Sequence, residues 1–361
     1  MPLSTLLSWV LVAFTIEVDN QFEWAMPHTT AMGRRLGEPA PGPWLVSLPM
    51  WSTFMRFVPA DGITVNELDH RAFGDTDLRG RNPGMVRWGY VSLSPDPADP
   101  RPKPPVRDWL VRPTQAGRYA QVIWASLPAS VERRWADRYG DKVMVDLRDS
   151  LTAIVDQLDV ELPDYLPTNG AHGGRVEIEA RAATGKPAEP ADLSALLAKT
   201  LLAFTIDFER DAPLSLVMSA NPVRVLGAEP IALAALPRLT GVAKDTLKVM
   251  LGGLERSGQL VFHQDGRTKT ARLTQAGQAA ENNYAKRVEA IEREWRSRFG
   301  PATDELRRAL EAVVGHPVLA RSQLSAAIQP RRTGWRAKMA TPELLPHHPV
   351  ISHRGGYPDG S

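Results

Sequence analysis

The chain has 361 residues, 43% of them hydrophobic and 23% charged, with a net charge of +2 and no cysteine. That length and composition suit an ordinary folded protein of two or three globular units. The lack of cysteine excludes disulfides, thiolate metal sites and cysteine nucleophiles. A charge this small excludes nucleic-acid binding by bulk charge, so any basic surface has to be local.

The first apolar run, residues 3–16, is too short to span a bilayer and has no basic segment before it. Glu17 and Asp19 follow at once. Ala13-Phe14-Thr15-Ile16-Glu17 also reappears in mid-chain as Ala203-Phe204-Thr205-Ile206-Asp207. A duplicated segment of this kind reads as a buried helix, here 3–24, and not as an export signal. The expected location is the cytoplasm, with no membrane partner. A Pro/Gly-rich connection covers 37–44. Leu48, Trp51, Phe54 and Met55 then recur at helical spacing. Asp61-Gly62 breaks the chain, and 63–70 reads as a short helix. A further helix over 74–88 is compromised by Gly80, Pro83 and Gly84, because proline fits only a first turn or a kink. A strand at 90–93, a Pro-rich loop and a return strand at 109–111 lead into helices over 114–139 and 142–158.

Residues 162–192 are rich in Pro, Gly and Ala without apolar period, and predict a flexible or surface linker. The second unit is more regular. Helices are predicted over 193–208, from Asn221 to Leu226, over 229–238 and over 242–257, with a turn at 239–241. Strands at 259–263 and 268–273 are joined at Asp265-Gly266, a dipeptide that suits a tight hairpin. Thr274 caps a helix to Arg298, and Pro301 opens a last helix to Val314. The tail, 316–361, has six Lys/Arg against two acids and few apolar residues, and reads as extended.

Thr114-Gln115-Ala116-Gly117 recurs identically as Thr274-Gln275-Ala276-Gly277, and Trp135 and Trp295 follow at the same distance within Glu-Arg-x-Trp patterns. The chain therefore reads as a tandem duplication: a first unit 1–161, a linker 162–192, a second unit 193–315 and a tail 316–361.

In the second unit, residues 237–246 (PRLTGVAKDT), the run Leu254-Glu255-Arg256-Ser257-Gly258-Gln259-Leu260, and Asp265-Gly266-Arg267 followed by Arg272-Leu273-Thr274-Gln275-Ala276-Gly277 resemble the turn, recognition helix and wing of the MarR family of transcriptional regulators. The resemblance implies a mainly α (α+β) fold of two tandem winged helix-turn-helix units with flanking helices. Members of that family are homodimers, so two fused units imply a single-chain pseudodimer. The first unit keeps the frame but departs from the motif: its wing is nine residues longer and lacks Asp-x-Arg.

The implied partner is double-stranded DNA. Lys244, Thr246 and Lys248 near the start of the recognition helix, Arg238 in the turn motif, and Arg267 and Lys269 at the wing are the candidate contacts, since such side chains reach base edges and phosphates. The alternative for each is a solvated helix or hairpin face. Arg79, Arg81 and Arg87 supply charge at the corresponding places of the first unit, with Arg101 and Lys103 in its loop. Eight of the ten tryptophans lie in the first unit. Trp9, Trp24, Trp51 and Trp124 are candidates to line a site for a small apolar or aromatic effector, against the plainer reading of a Trp-rich core. His347, His348 and His353 lack the companions of a metal site. No nucleophile elbow, Gly-Lys-Ser/Thr loop or acid–base set occurs, so neither enzymatic activity nor a cofactor is expected. The competing reading is a regulator-derived module that binds a ligand or protein and has lost DNA binding.

Overall fold

Two apolar segments become the central helices. In α1 (Leu3–Ala25), 20 of 23 residues are buried, and α7 (Leu193–Glu209) is buried almost as fully. A helix apolar on all sides needs partners all round, and each of these packs against the other in the middle of the molecule. The window of α1 that is long and apolar enough to cross a membrane lies wholly inside this core. The coordinates are a computed structural model that describes residues 1–28, 43–74, 76–81, 83–167, 181–182, 191–315, 321–330, 336–338 and 343–351. The 37–42 part of the predicted connection, most of the predicted linker, His353 and Trp335 lie outside them.

The described residues are mainly helical and form three small sheets. After α1 come α2 (Leu48–Thr53), β1 (Ile63–Thr64), α3 (Val65–Arg71), α4 (Gly84–Arg87), β2 (Val91–Ser94), β3 (Leu110–Pro113), α5 (Gln115–Tyr139) and α6 (Asp141–Val155). A two-stranded pair, β4 (Val160–Glu161) and β5 (Arg181–Ala182), precedes α7. Then follow α8 (Leu216–Met218), β6 (Ile231–Ala232), α9 (Leu236–Thr240), α10 (Lys244–Arg256), β7 (Leu260–Asp265), β8 (Thr268–Leu273), α11 (Gln275–Phe299) and α12 (Pro301–Val314). The two three-stranded sheets have the same antiparallel order, β1-β3-β2 and β6-β8-β7. Among the helices, α6 packs on α7 and α12, and α12 packs on α1.

The repeated sequence makes repeated contacts. Thr114 Oγ1 accepts from Gly117 N–H at 3.0 Å, and Thr274 Oγ1 accepts from Gly277 N–H at 3.2 Å. The same hydroxyls donate to the carbonyls of Gly89 and Gly258, fastening each long helix to the strand beside it. The glycines are required by close approach: a Cβ on Gly117 would lie 2.0 Å from the Tyr90 oxygen, and one on Gly277 2.1 Å from that of Gln259. Farther along, Trp135 Nε1 donates to Glu17 at 2.8 Å and Trp295 Nε1 to Asp207 at 2.9 Å. Each indole meets the phenylalanine of the repeated Ala-Phe-Thr edge-on, Phe14 at 5.1 Å and Phe204 at 5.2 Å. Asp19 and Glu209 accept from the N–H groups of Leu48 and Leu216. Burial pushes the Asp19 carboxyl up to about 7, with Arg336 beside it opposing the shift.

Several local expectations are corrected. The helix expected over 63–70 begins as a strand, because β1 pairs with β3 before Thr64 caps α3. Residues 229–238 likewise contain β6, which pairs with β8, and the helix starts only at Leu236. The helix expected from Asn221 starts earlier, at Leu216, capped by Ser215, and turns wide as a π-helical segment, Ser219–Val223, around Pro222. Proline has no N–H to hold the regular ladder. Among the described residues of 74–88 only α4 forms, four residues long, after Pro83. Residues 162–167 are not surface linker: Leu162, Tyr165 and Leu166 are buried. The tail is docked where it is described, through the short α13 (Leu324–Ala327), a buried Arg336 and buried Leu345, His348 and Ile351.

Candidate functional site

The second lobe has a hydrophobic core of its own, built by Leu236, Val242, Leu247, Met250, Leu251, Leu254, Leu260, Leu273 and their neighbours. α10 explains why it forms. Leu247, Met250, Leu251 and Leu254 fall on one face and are buried, which leaves the other face for charge. α9 stops at Gly241, whose φ of 72° lets the chain turn sharply into α10. No side chain caps the start of α10, and its first turn carries Asp245 beside Lys244.

Lys244, Lys248 and Val249 are exposed on that outer face and Thr246 is half-buried. β7 and β8 pair from Leu260↔Leu273 to Asp265↔Thr268. The loop is therefore Gly266-Arg267, one residue later than the Asp265-Gly266 expected from sequence. Gly266 takes φ 54°, and Arg267 stands exposed at the tip. The Lys269 ammonium lies over the Phe262 ring at 4.2 Å. Lys244, Lys248, Arg267 and Lys269 have no carboxylate partner among the described residues. Arg238 differs: it is exposed but pairs with Glu343 of the tail at 2.5 Å.

The corresponding lobe of the first unit is built differently. With α4 only four residues long, it offers no extended helix face. Arg79 is tied to Asp69 at 2.6 Å. Arg101 in the long β2–β3 connection is tied to Asp99 and Asp108. Arg81 is exposed, and Arg87 lies over the Trp88 ring at 5.8 Å. The Pro-rich loop was legible as a loop, but sequence gave no sign that its aspartates would neutralise its arginines.

The four tryptophans proposed as an effector site do not converge. Trp9 and Trp24 are fifteen residues apart on one helix, about 22 Å along its axis. Trp24 is 61% exposed, while Trp9 is buried against His347, edge-on at 5.9 Å. Trp51 and Trp124 stack at 5.7 Å, and Trp124 stacks on Phe22 at 4.3 Å. These are core contacts of the first unit. A cavity of about 370 Å³ lies instead in the second unit, where Phe208, Ser219, Tyr284, Lys286 and Arg287 line it between α7, the π-helical turn and α11. Arg287 is anchored there, donating to the Asp207 carbonyl at 2.7 Å and pairing with Asp211 at 3.0 Å. Sequence reasoning missed this cavity because it followed indoles, and no tryptophan lines it.

Among the described residues no cluster of His, Asp or Glu could hold a metal ion. His347 and His348 are held as hydrogen-bonded groups in a buried segment, described below. Compared with known proteins, the chain matches no protein-family profile, no curated protein and no solved structure.

Proposed function

We propose that the chain is a DNA-binding transcriptional regulator of MarR-like type, a single-chain pseudodimer of two winged helix-turn-helix units acting in the cytoplasm. α9 and α10 form the helix-turn-helix of the second unit, and β7–β8 forms its wing. The observation that carries this reading is the second lobe's surface: four cations without carboxylate partners, on an uncapped helix start and on a hairpin tip. Such a surface suits a helix in a major groove and an arginine on the adjacent backbone or minor groove. Thr246 and Val249 add a hydroxyl and a methyl face for base edges.

The first unit supports the fold and contacts phosphate at most through Arg81 and Arg87. Binding is thus asymmetric, with one reading lobe in each chain. A small apolar or aromatic effector enters the cavity beside Tyr284 and biases the angle between the core helices and the second lobe.

Gel shifts with duplex DNA at fixed salt test this. Lys244→Ala and Arg267→Ala are each expected to weaken binding about tenfold, the usual cost of one phosphate or base contact. Arg79→Ala should bind like the parent, since its charge is already matched. Equal affinity of all four proteins would remove the second lobe as the reader. The four-residue α4 favours a second reading, a module that binds a ligand or protein and has lost DNA altogether. Sub-micromolar binding to any particular duplex would exclude it.

A further inference from the structure

Two extended segments of this chain occupy equivalent grooves. Residues 162–167 run Leu-Pro-Asp-Tyr-Leu-Pro, and 345–350 run Leu-Pro-His-His-Pro-Val. Position by position they are buried alike: two buried, one half-buried, two buried, one half-buried. Their fourth residues bind the same site of the repeated helix. Tyr165 Oη and Thr15 Oγ1 are 2.6 Å apart, and His348 Nε2 and Thr205 Oγ1 are 3.1 Å apart. The third residues also correspond. Asp164 meets Arg56 and Lys199, while His347 meets Trp9 and lies near Arg224. Arg56 and Arg224 each stand eight residues after the leucine whose N–H is held by Asp19 or Glu209. Trp9 and Lys199 each stand five residues before the phenylalanine of Ala-Phe-Thr.

The equivalence ends at charge. The first strap carries a carboxylate between two cations, at 2.9 Å from Arg56 and 2.8 Å from Lys199. The second carries an imidazole beside one cation, and Arg224 has no carboxylate partner among the described residues. The second strap is held by neutral hydrogen bonds. Asn221 Nδ2 donates to the His348 carbonyl, Asn221 Oδ1 accepts from the N–H of His347, and Ser8 donates to the Pro346 carbonyl.

The second strap also joins two bodies. Leu345 and Ile351 belong to the main core, whereas Val350 packs on the separate core of the second lobe. It passes so close to the turn before α10 that a Cβ on Gly241 would lie 2.5 Å from the Leu344 oxygen. At its start Glu343 pairs with Arg238.

We propose that residues 343–351 are a releasable strap that, when docked, fixes the second lobe to the helical core and ties Arg238 to Glu343, while residues 162–167 form its permanent counterpart. Protons are one release signal. Burial and the neighbouring Arg224 hold His347 down at about 3. Burial lowers His348 to about 4, opposed by its bond to the Pro349 carbonyl. The other groups around them are Thr5, Ser8 and Trp9 on α1, Thr205 on α7, Asn221 in the π-helical turn and Tyr284 on α11, which lies near Arg224. None is a carboxylate that would stabilise imidazolium. The docked strap therefore binds fewer protons than the released one. Docking is at full strength above the free histidine value of about 6.5 and weakens about tenfold per pH unit below it for each histidine titrated.

Hydrogen exchange of the full chain, corrected for intrinsic rates, tests this without DNA. Between pH 7.5 and 5.5, protection of 343–351 and of the 236–246 turn should fall at least about tenfold, while that of 162–167 holds. His347→Gln should remove about half of that dependence on a logarithmic scale, leaving the share that His348 supplies. Equal change in both straps, no change in either, or the full dependence persisting in His347→Gln would overturn the proposal. If the glutamine variant is already unprotected at pH 7.5, the comparison of the two straps in the parent chain decides. A second arm rests on the DNA-binding reading: Glu343→Gln frees Arg238 and should raise duplex affinity a few-fold. If DNA fails to bind at all while the exchange result holds, the strap stands and that reading falls.

Discussion

Gly277→Ala is expected to destabilise the chain by about 3 kcal/mol, at the upper end of what forced overpacking costs. The sign is the opposite of the ordinary one, since alanine in place of glycine inside a helix normally stabilises by about 1 kcal/mol. Gly277 sits in the first turn of α11, with its N–H held by the Thr274 hydroxyl. An added Cβ would meet the Gln259 oxygen at 2.1 Å and Leu273 Cβ at 3.0 Å. The first of these is backbone, and it also accepts the Thr274 N–H at 3.0 Å, so it cannot swing aside. To make room, α11 must lift from the hairpin it anchors. Gly252→Ala is the control, a helical glycine whose nearest neighbour is the end of the Arg256 side chain at 3.3 Å. Denaturant midpoints should show Gly252→Ala at or above the parent and Gly277→Ala well below it. A Gly277→Ala protein as stable as the parent would mean the helix and hairpin are not latched in this way.

Glu17→Ala should cost about 4 kcal/mol, the scale for removing one partner of a buried ion pair. The Glu17 side chain is 8% exposed and accepts from three donors: Trp135 Nε1 at 2.8 Å, Arg134 at 3.0 Å and Arg138 at 3.0 Å. Alanine leaves one indole and two partly buried guanidinium groups without that acceptor. The matching Asp207→Ala should cost less, about 2 kcal/mol, because Asp207 is 16% exposed and its arginine partner, Arg210, is 64% exposed. Equilibrium unfolding of the two variants should therefore rank Glu17→Ala as the more damaging. The reverse order would show that the duplicated carboxylates do not share the roles assigned to them.

What could be read from sequence was the element that repeats identically. Thr-Gln-Ala-Gly with its following tryptophan is local chemistry, a cap and a close approach, and it located the matching helices and hairpins of both halves. The apolar spacing of Leu247, Met250, Leu251 and Leu254 likewise located α10 and its outward face. What stayed hidden depends on contacts distant in sequence. β1 and β6 are two-residue strands defined by their partners β3 and β8, so no local pattern announces them. The effector site followed tryptophan count, yet Trp51 and Trp124 stack as core. Composition marked 162–192 as a flexible or surface linker and 316–361 as an extended tail, yet 162–167 and 343–351 are docked on the core. It could not tell extended and buried from extended and solvated. The alternation of burial that makes them a pair emerges only when both grooves are seen.

The asymmetry between the halves is the feature from which the functional account follows. The first half keeps the scaffold and matches Arg79 with Asp69 and Arg101 with Asp99 and Asp108, leaving Arg81 and Arg87 exposed beside a four-residue helix. The second keeps unmatched cations on α10 and at the hairpin tip. Two equal lobes would protect two patches on a duplex about one helical turn, roughly 34 Å, apart. One reading lobe protects one patch. Hydroxyl-radical footprinting of the full chain on a duplex selected from a random pool tests this most directly. The account predicts a single protected major-groove patch with its flanking backbone, lost in Lys244→Ala/Arg267→Ala and retained in Arg79→Ala. Two equal patches a helical turn apart, or a footprint unchanged in Lys244→Ala/Arg267→Ala, would contradict it.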